Sequence, residues 1–232
     1  MTGQPPRTRG LVIAIDGPAG AGKSTLAARI ARKHGYINIE TGAMYRALAL
    51  KAIRSDISFD DGAGLLQLAE KSSIKLEPQR EGNRVLLDGE NVSERIREQD
   101  VTDAASRVSV HPDVREWMVA RQREMGEAGG VVMEGRDIGT KVFPHADVKV
   151  FLDADPLVRE QRRLAQQQLK GKAAEATAAE LRERDRRDRT RAASPLVAAA
   201  DALVLDSTAL SEDEVLARVE EAVNQKLETA QG

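Results

Sequence analysis

The 232-residue chain predicts an α/β fold: a parallel five-stranded sheet with helices on both faces. Three observations predict it. Apolar, strand-like runs recur at 11–16, 36–39, 131–134, 148–152 and 202–205. Helical stretches separate them, an alternation that marks parallel strands joined by crossover helices. Directly after the first run stands Gly17-Pro18-Ala19-Gly20-Ala21-Gly22-Lys23-Ser24, which fits the pattern G-x-x-x-x-G-K-[ST] between a strand and a helix.

Leu11-Val12-Ile13-Ala14-Ile15-Asp16 is an unbroken apolar run and reads as a buried strand. In the loop that follows, glycines let successive backbone N–H groups turn inward around a phosphate. The helix opening at Lys23 points its positive end at the same place, and Lys23 adds a full charge there. Ser24 offers a hydroxyl to Mg²⁺, and Leu26-Ala27-Ala28-Arg29-Ile30-Ala31 continues the helix, so nucleotide binding is expected.

After Ile37-Asn38-Ile39 comes Glu40-Thr41-Gly42-Ala43-Met44-Tyr45-Arg46, where Thr41 is placed to cap a helix and leave free N–H groups for an anion. Residues 73–93 break the rhythm: Ile74-Lys75-Leu76 and Val85-Leu86-Leu87 flank Gly82-Asn83, which predicts an inserted antiparallel hairpin. Val131-Val132-Met133 leads into Glu134-Gly135-Arg136-Asp137, and Val148-Lys149-Val150-Phe151-Leu152 into Asp153-Ala154-Asp155-Pro156. Ligands of such sheets sit beyond the carboxyl ends of the strands. Two further turns therefore bring Arg46 and Arg136 to the edge that carries the phosphate loop, and a second anion site is expected.

Pro156 suits the first turn of a helix running to about Lys170, ended by Gly171. A second helix is expected over about 177–192. On it Arg184, Arg187, Asp188 and Arg191 share one face, where three arginines around one carboxylate suit anionic oxygens. The opposite face, Arg182, Asp185, Arg186 and Arg189, is expected to be solvated and laced by ion pairs along the helix.

A net charge of −2 gives no basic field, which argues against a role on nucleic acid. Without cysteine there are no disulfides, thiolate metal sites or thiol chemistry. Residues 1–10 lack the apolar core of a signal peptide and read as a flexible tail, and no run approaches a membrane span. A cytoplasmic monomer with one domain over 11–232 and no membrane partner is expected. His34, His111 and His145 show no ligand spacing, and Trp117, Phe143 and Phe151 read as core.

GPAGAGKST, ETGAMYRA, EGRDIGT and RERDRRDRTRA, in this order and with a hairpin between the second and third, resemble the bacterial cytidylate kinases from Leu11 to about Ala222. The phosphate loop alone is shared by many NTPases; the combination is specific. The resemblance implies a P-loop nucleoside-monophosphate-kinase fold and transfer of the γ-phosphoryl group of ATP, with Mg²⁺, to CMP or dCMP. It implies that Gly17, Pro18, Ala19, Gly20, Ala21, Gly22, Lys23, Ser24 and Thr25 hold ATP, with Arg159, Arg162 and Arg163 near its phosphates. Thr41, Arg46, Arg136 and Arg191 would hold the acceptor phosphate, Asp188 with Arg184 the ribose, and Ser106, Arg115 and Asp137 would face cytosine. Lys23, Arg136, Arg162, Arg163 and Arg191 would act on the transferring group. The acceptor-binding region would span about 41–110 and a helical lid about 159–180. Glu40 stands where Asp is usual in that family.

A phosphate monoester is mostly a dianion at pH 7, its second pKa being about 6, so no general base is assigned. Positive charge and positioning are what phosphoryl transfer needs. No apolar run ending in an acidic residue is read as dedicated to Mg²⁺, which is expected on ATP oxygens, Ser24 and water. Taken singly, Arg46 has an alternative partner in Glu40, Arg115 in Glu116, and Asp137 an alternative role as a turn cap. The competing functions are a kinase of the same fold acting on another acceptor, such as UMP or shikimate, and a P-loop ATPase switch.

Overall fold

The computed structural model describes residues 10–79, 82–168 and 171–231. The predicted tail therefore lies outside the described residues except for Gly10. In chain order the elements are β1 (Val12–Asp16), α1 (Lys23–His34), β2 (Ile37–Glu40), α2 (Gly42–Arg54), α3 (Gly62–Glu70), β3 (Ile74–Pro78), β4 (Asn83–Leu87) and β5 (Glu90–Asn91). There follow α4 (Gln99–Val108), α5 (Pro112–Gly126), β6 (Val131–Gly135), β7 (Val148–Asp153), α6 (Pro156–Gln167), α7 (Lys172–Thr190), β8 (Leu203–Asp206) and α8 (Glu212–Gln231). Ile138–Val142 forms a π-helical turn after β6.

The five predicted runs pair as one parallel sheet in the order β2-β6-β1-β7-β8. β1 lies at its centre, which is why Val12–Asp16 is buried throughout. Register places Asp16 opposite Gly135 of β6 and Phe151 of β7. β1 and β6 thus stop at one level, and β7 runs on to Asp153 beside them.

The insertion has one more strand than predicted. β3, β4 and β5 form an antiparallel sheet, the extra strand returning through Asp88 and Gly89 at φ 52° and 87°. That Asp-Gly pair is the usual residue choice for a tight hairpin turn with both residues left-handed. Arg80 and Glu81, at the tip between β3 and β4, lie outside the described residues.

Apolar side chains gather in separate clusters. Ile13, Ile15, Ile30, Val150, Val219 and Val223 fill the space between the sheet, α1 and α8, while Ala14, Met133 and Ile138 pack on the other face. A third cluster, with Met44, Leu48, Leu65, Val85, Val101 and Met118, joins α2, α3, α4 and α5 to the small sheet. Trp117 packs on this cluster, Phe143 on the second face, and Phe151 is buried in β7.

The C-terminal helices correct the predicted boundaries. α6 ends at Gln167, with Gln168 in the left-handed region at φ 53°. Lys170, the predicted end, lies outside the described residues. Gly171 precedes α7 rather than closing α6, and α7 starts at Lys172 because Ala173, Ala174, Ala176, Ala178 and Ala179 are strong helix formers. No described helix is long and apolar enough to cross a membrane.

Candidate active site

The phosphate loop forms where β1 meets α1. Gly17 has φ 149°, and a Cβ there would stand 1.9 Å from Leu152 O, so only glycine lets the loop turn beneath β7. Gly22, at φ 98°, is the N-cap of α1, and Lys23 opens the helix. The Lys23 ammonium is buried and donates to Pro18 O at 2.7 Å, folding back over the loop. Burial, and then Arg136, push its pKa down to about 7, with Glu134 pulling the other way. Ser24 and Thr25 stand exposed at the start of α1. Beside them Gly22, Thr25, Arg29, Arg162, Ser207 and Leu210 border a cleft of about 90 Å³ open to solvent.

The turns after β2 and β6 meet this loop. Thr41 does not cap α2 with its side chain; its hydroxyl donates to Glu134 O at 2.8 Å. Gly135 is needed for that approach, since a Cβ on it would lie 2.7 Å from Thr41 Oγ1. Arg46 pairs with Glu40 at 2.5 Å, the alternative partner in sequence. Arg115 pairs not with Glu116 but with Asp137, Nη2 to Oδ2 at 2.5 Å, with both side chains under a tenth exposed. The Asp137 side chain makes no cap bond. Arg115 also donates to Ser109 O at 3.0 Å and lies over the Tyr45 ring. Its Nε and the Ser106 hydroxyl are buried without a partner.

α7 brings the remaining cations. Asp188 accepts from Arg136 Nε at 2.9 Å and from Arg191 Nη1 at 3.2 Å. Burial alone would raise the Asp188 carboxyl; Arg136, Arg184 and Arg191 hold it below the usual range. Arg184 is pushed down to about 10 by burial and by Arg136. Arg191, just past the helix end, donates to Ser194 O at 2.7 Å and keeps a buried Nη2 without a partner. Arg163 is pushed down by burial and, to a lesser degree, by Arg46.

One expectation for this region is refined. The second face of α7 is solvated, with Arg182, Arg186 and Arg189 exposed, but its ion pairs mostly leave the helix: Arg182 pairs with Glu160, Asp185 with Arg159 and Arg189 with Asp153, while Arg186 pairs along the helix with Glu183. Arg159 is buried, and its donors go to Ala154 O, Ala19 O and Asp185, so in this structure it braces the phosphate loop against α7. Arg162 donates to Ser207 Oγ and O at 3.0 and 2.7 Å on the wall of the cleft.

Sequence reasoning missed two buried carboxylates. Glu134 ends the apolar run Val131-Val132-Met133 on the strand beside β1, the signal that was passed over. Burial and Glu40 raise its pKa, Lys23 and then Ser24 oppose them, and Oε1 has no partner. Asp16 accepts from Ile138 N at 2.8 Å and Gly139 N at 2.7 Å, fixing the turn behind Asp137, and burial raises its pKa to about 6.

Lys23, Arg46, Arg136, Arg163, Arg184 and Arg191 thus come from α1, α2, the β6 turn, α6 and α7 to stand near one another. Four of these cations have lowered pKa values, burial being the largest cause and a neighbouring guanidinium the next.

A sequence model described as cytidylate kinase matches residues 13–225. A cytidylate kinase of Solibacter usitatus (strain Ellin6076) is 51% identical over 217 residues, covering 92% of this chain and 90% of the relative. One from Geobacillus kaustophilus (strain HTA426) is 48% identical over 221 residues, covering 94% and 99%. A third, from Pelotomaculum thermopropionicum (strain DSM 13744 / JCM 10971 / SI), is 50% identical over 207 residues, covering 88% and 92%. With its parallel sheet, phosphate loop and facing arginine turns, the chain belongs to the cytidylate kinase family.

Proposed function

We propose that the chain transfers the γ-phosphoryl group of ATP to CMP or dCMP, giving ADP and CDP or dCDP. The observation that supports this most directly is geometric: Arg136, in the turn after β6, donates to Asp188 of α7 at 2.9 Å, so cations from that turn and from α7 meet beside the strand that leads into the phosphate loop. Donor and acceptor phosphates held by these two sets would meet there. On this reading the phosphate loop and Lys23 hold the ATP phosphates, and the cleft at Thr25, Arg162 and Ser207 takes the adenine end. Thr41, Arg46, Arg136 and Arg191 bind the acceptor phosphate, Asp188 and Arg184 the sugar, and Ser106, Arg115 and Asp137 the base. The region 41–110 acts as the acceptor-binding part, and α6 with α7 as the lid.

The Ser24 hydroxyl and the unpartnered Glu134 Oε1 fit a hard divalent cation that prefers oxygen ligands. Mg²⁺ bound with ATP would supply charge neutralisation on the β and γ oxygens. The protein's own part is to orient and neutralise. Lys23, Arg136, Arg191, Arg162 and Arg163 reduce the repulsion between two dianionic groups and stabilise charge on the transferring oxygens. Because the acceptor is already deprotonated at neutral pH, no side chain has to remove a proton. Coupled ADP release with CMP, dCMP, UMP, AMP and shikimate in turn tests the proposal. Turnover with CMP or dCMP well above the others is expected; preference for UMP or shikimate, or ATP hydrolysis indifferent to any acceptor, would overturn it.

A further inference from the structure

β2 is an edge strand of the parallel sheet. Its odd-numbered residues turn their backbone groups inward to β6: Ile37 N donates to Gly130 O at 2.9 Å and Thr41 N to Glu134 O at 3.2 Å. The even-numbered residues turn theirs outward, where no strand continues the sheet. Asn83, the first residue of β4, meets both outward groups. Its Oδ1 accepts from Glu40 N at 3.0 Å, and its Nδ2 donates to Asn38 O at 2.8 Å.

In a parallel ladder, one residue of a neighbouring strand donates to the carbonyl before its partner and accepts from the N–H after it. The Asn83 amide makes those two bonds around Ile39, so one side chain stands in for a sixth strand and joins the small sheet to the large one. It is 8% exposed, although Arg84 beside it faces solvent. Its chemistry is matched to the task, because the pair of bonds needs one donor and one acceptor at amide spacing.

What the clamp holds is the Glu40–Thr41 junction. Glu40 N is fixed by Asn83 on one edge and Thr41 N by Glu134 O on the other. From that junction α2 starts, carrying Arg46, whose guanidinium pairs with the Glu40 carboxylate. We propose that Asn83 is a positioning residue for the acceptor phosphate: the inserted sheet acts on catalysis by pinning, through this amide, the backbone that aims Thr41 and Arg46. The inference rests on the acceptor reading given under Proposed function.

Asn83→Asp and Asn83→Leu test it, with KM for CMP and for ATP, kcat and the thermal midpoint measured for each. The expected result is an acceptor KM raised about tenfold, equivalent to about 1.4 kcal/mol, with the ATP KM within about twofold of the parent. The aspartate carries a further signature. As a carboxylate it puts an acceptor against Asn38 O; protonated, it again offers one donor and one acceptor. The ratio of its acceptor KM to that of the parent should therefore fall as pH is lowered toward the ordinary aspartate range of about 4. Glu40, Arg46, Arg84, Glu94 and Arg97, with Lys23 behind Glu40, are the charged groups around the junction; common to both proteins, they set where the introduced carboxyl titrates. Equal losses for CMP and ATP, an unchanged acceptor KM, or a pH-independent ratio would overturn the inference. Failure of the underlying reading would appear instead in the parent protein, as no turnover with CMP or dCMP. If neither variant folds, hydrogen exchange in the parent decides: slow exchange at Glu40 N, slowed further by CMP, is expected, and fast exchange there refutes the clamp.

Discussion

Asp137→Asn should invert the preference for the base, because the Arg115 pair dictates how the new amide must turn. In the parent, Arg115 Nη2 donates to Asp137 Oδ2 at 2.5 Å. Arginine has no acceptor, so an asparagine at 137 must present its carbonyl oxygen to Arg115 and its NH₂ to the opposite side. On our reading that side meets the base. Cytosine shows an amino donor at position 4 and uracil an oxygen, so the parent carboxylate suits the first and the variant amide the second. A donor facing a donor in a buried site costs about 1–3 kcal/mol, or roughly 5- to 150-fold in kcat/KM for CMP. UMP should lose a similar mismatch and improve. Removing one partner of a buried ion pair also costs stability, up to about 3–5 kcal/mol when nothing replaces it; the retained hydrogen bond makes the loss smaller here. Coupled ADP release with CMP and with UMP, run on protein whose thermal midpoint has been checked, gives the ratio. A folded variant that keeps the full parent ratio would refute the placement of Asp137 at the base.

Lys23→Ala should lower kcat by about 10²–10³ without unfolding the protein, since it removes the one cation inside the phosphate loop; single-turnover rates on a variant of parental circular dichroism check it. Arg46→Ala, Arg136→Ala and Arg191→Ala should each weaken CMP far more than ATP, and lysine at these positions should restore only part of the loss because it lacks the planar fork; separate affinities by calorimetry decide. For Asp16, burial lifts the carboxyl from its ordinary 3.8 to about 6. Its contribution to stability is therefore present in full below pH 3.8 and lost as pH rises through about 6. Asp16→Asn should remove that slope between pH 4 and 6, and also lower stability by about 1–3 kcal/mol, because its NH₂ must face one of two backbone donors; urea unfolding across pH reads both.

The five strands were legible because each is a short apolar run closed by polar or glycine residues, as in Val131-Val132-Met133 before Glu134-Gly135. The site residues were legible for the same reason, since strand ends define the ligand edge. What escaped was partner choice. Arg115 and Asp137 are 22 residues apart and Arg159 and Asp185 are 26 apart, so only tertiary packing could pair them. Arg159, expected near the ATP phosphates, donates to Ala19 O of the phosphate loop, a contact that the sequence alone does not show. Glu134 was passed over because its strand was read for hydrophobicity and its turn for arginine. The Asp88-Gly89 turn was written in the sequence, but a two-residue strand such as Glu90–Asn91 has no periodicity to detect.

The cluster around Met44, Leu65 and Met118 is distinct from those that back the parallel sheet. Stability in such a molecule need not be lost all at once, since contiguous cooperative units open at their own free energies. A lesion such as Leu65→Ala would fall on the unit built from α2 to α5, while β1, α1 and α8 keep their own packing. On the proposed placement of donor and acceptor, damage there by heat or inherited substitution would impair acceptor binding before it reached the phosphate loop.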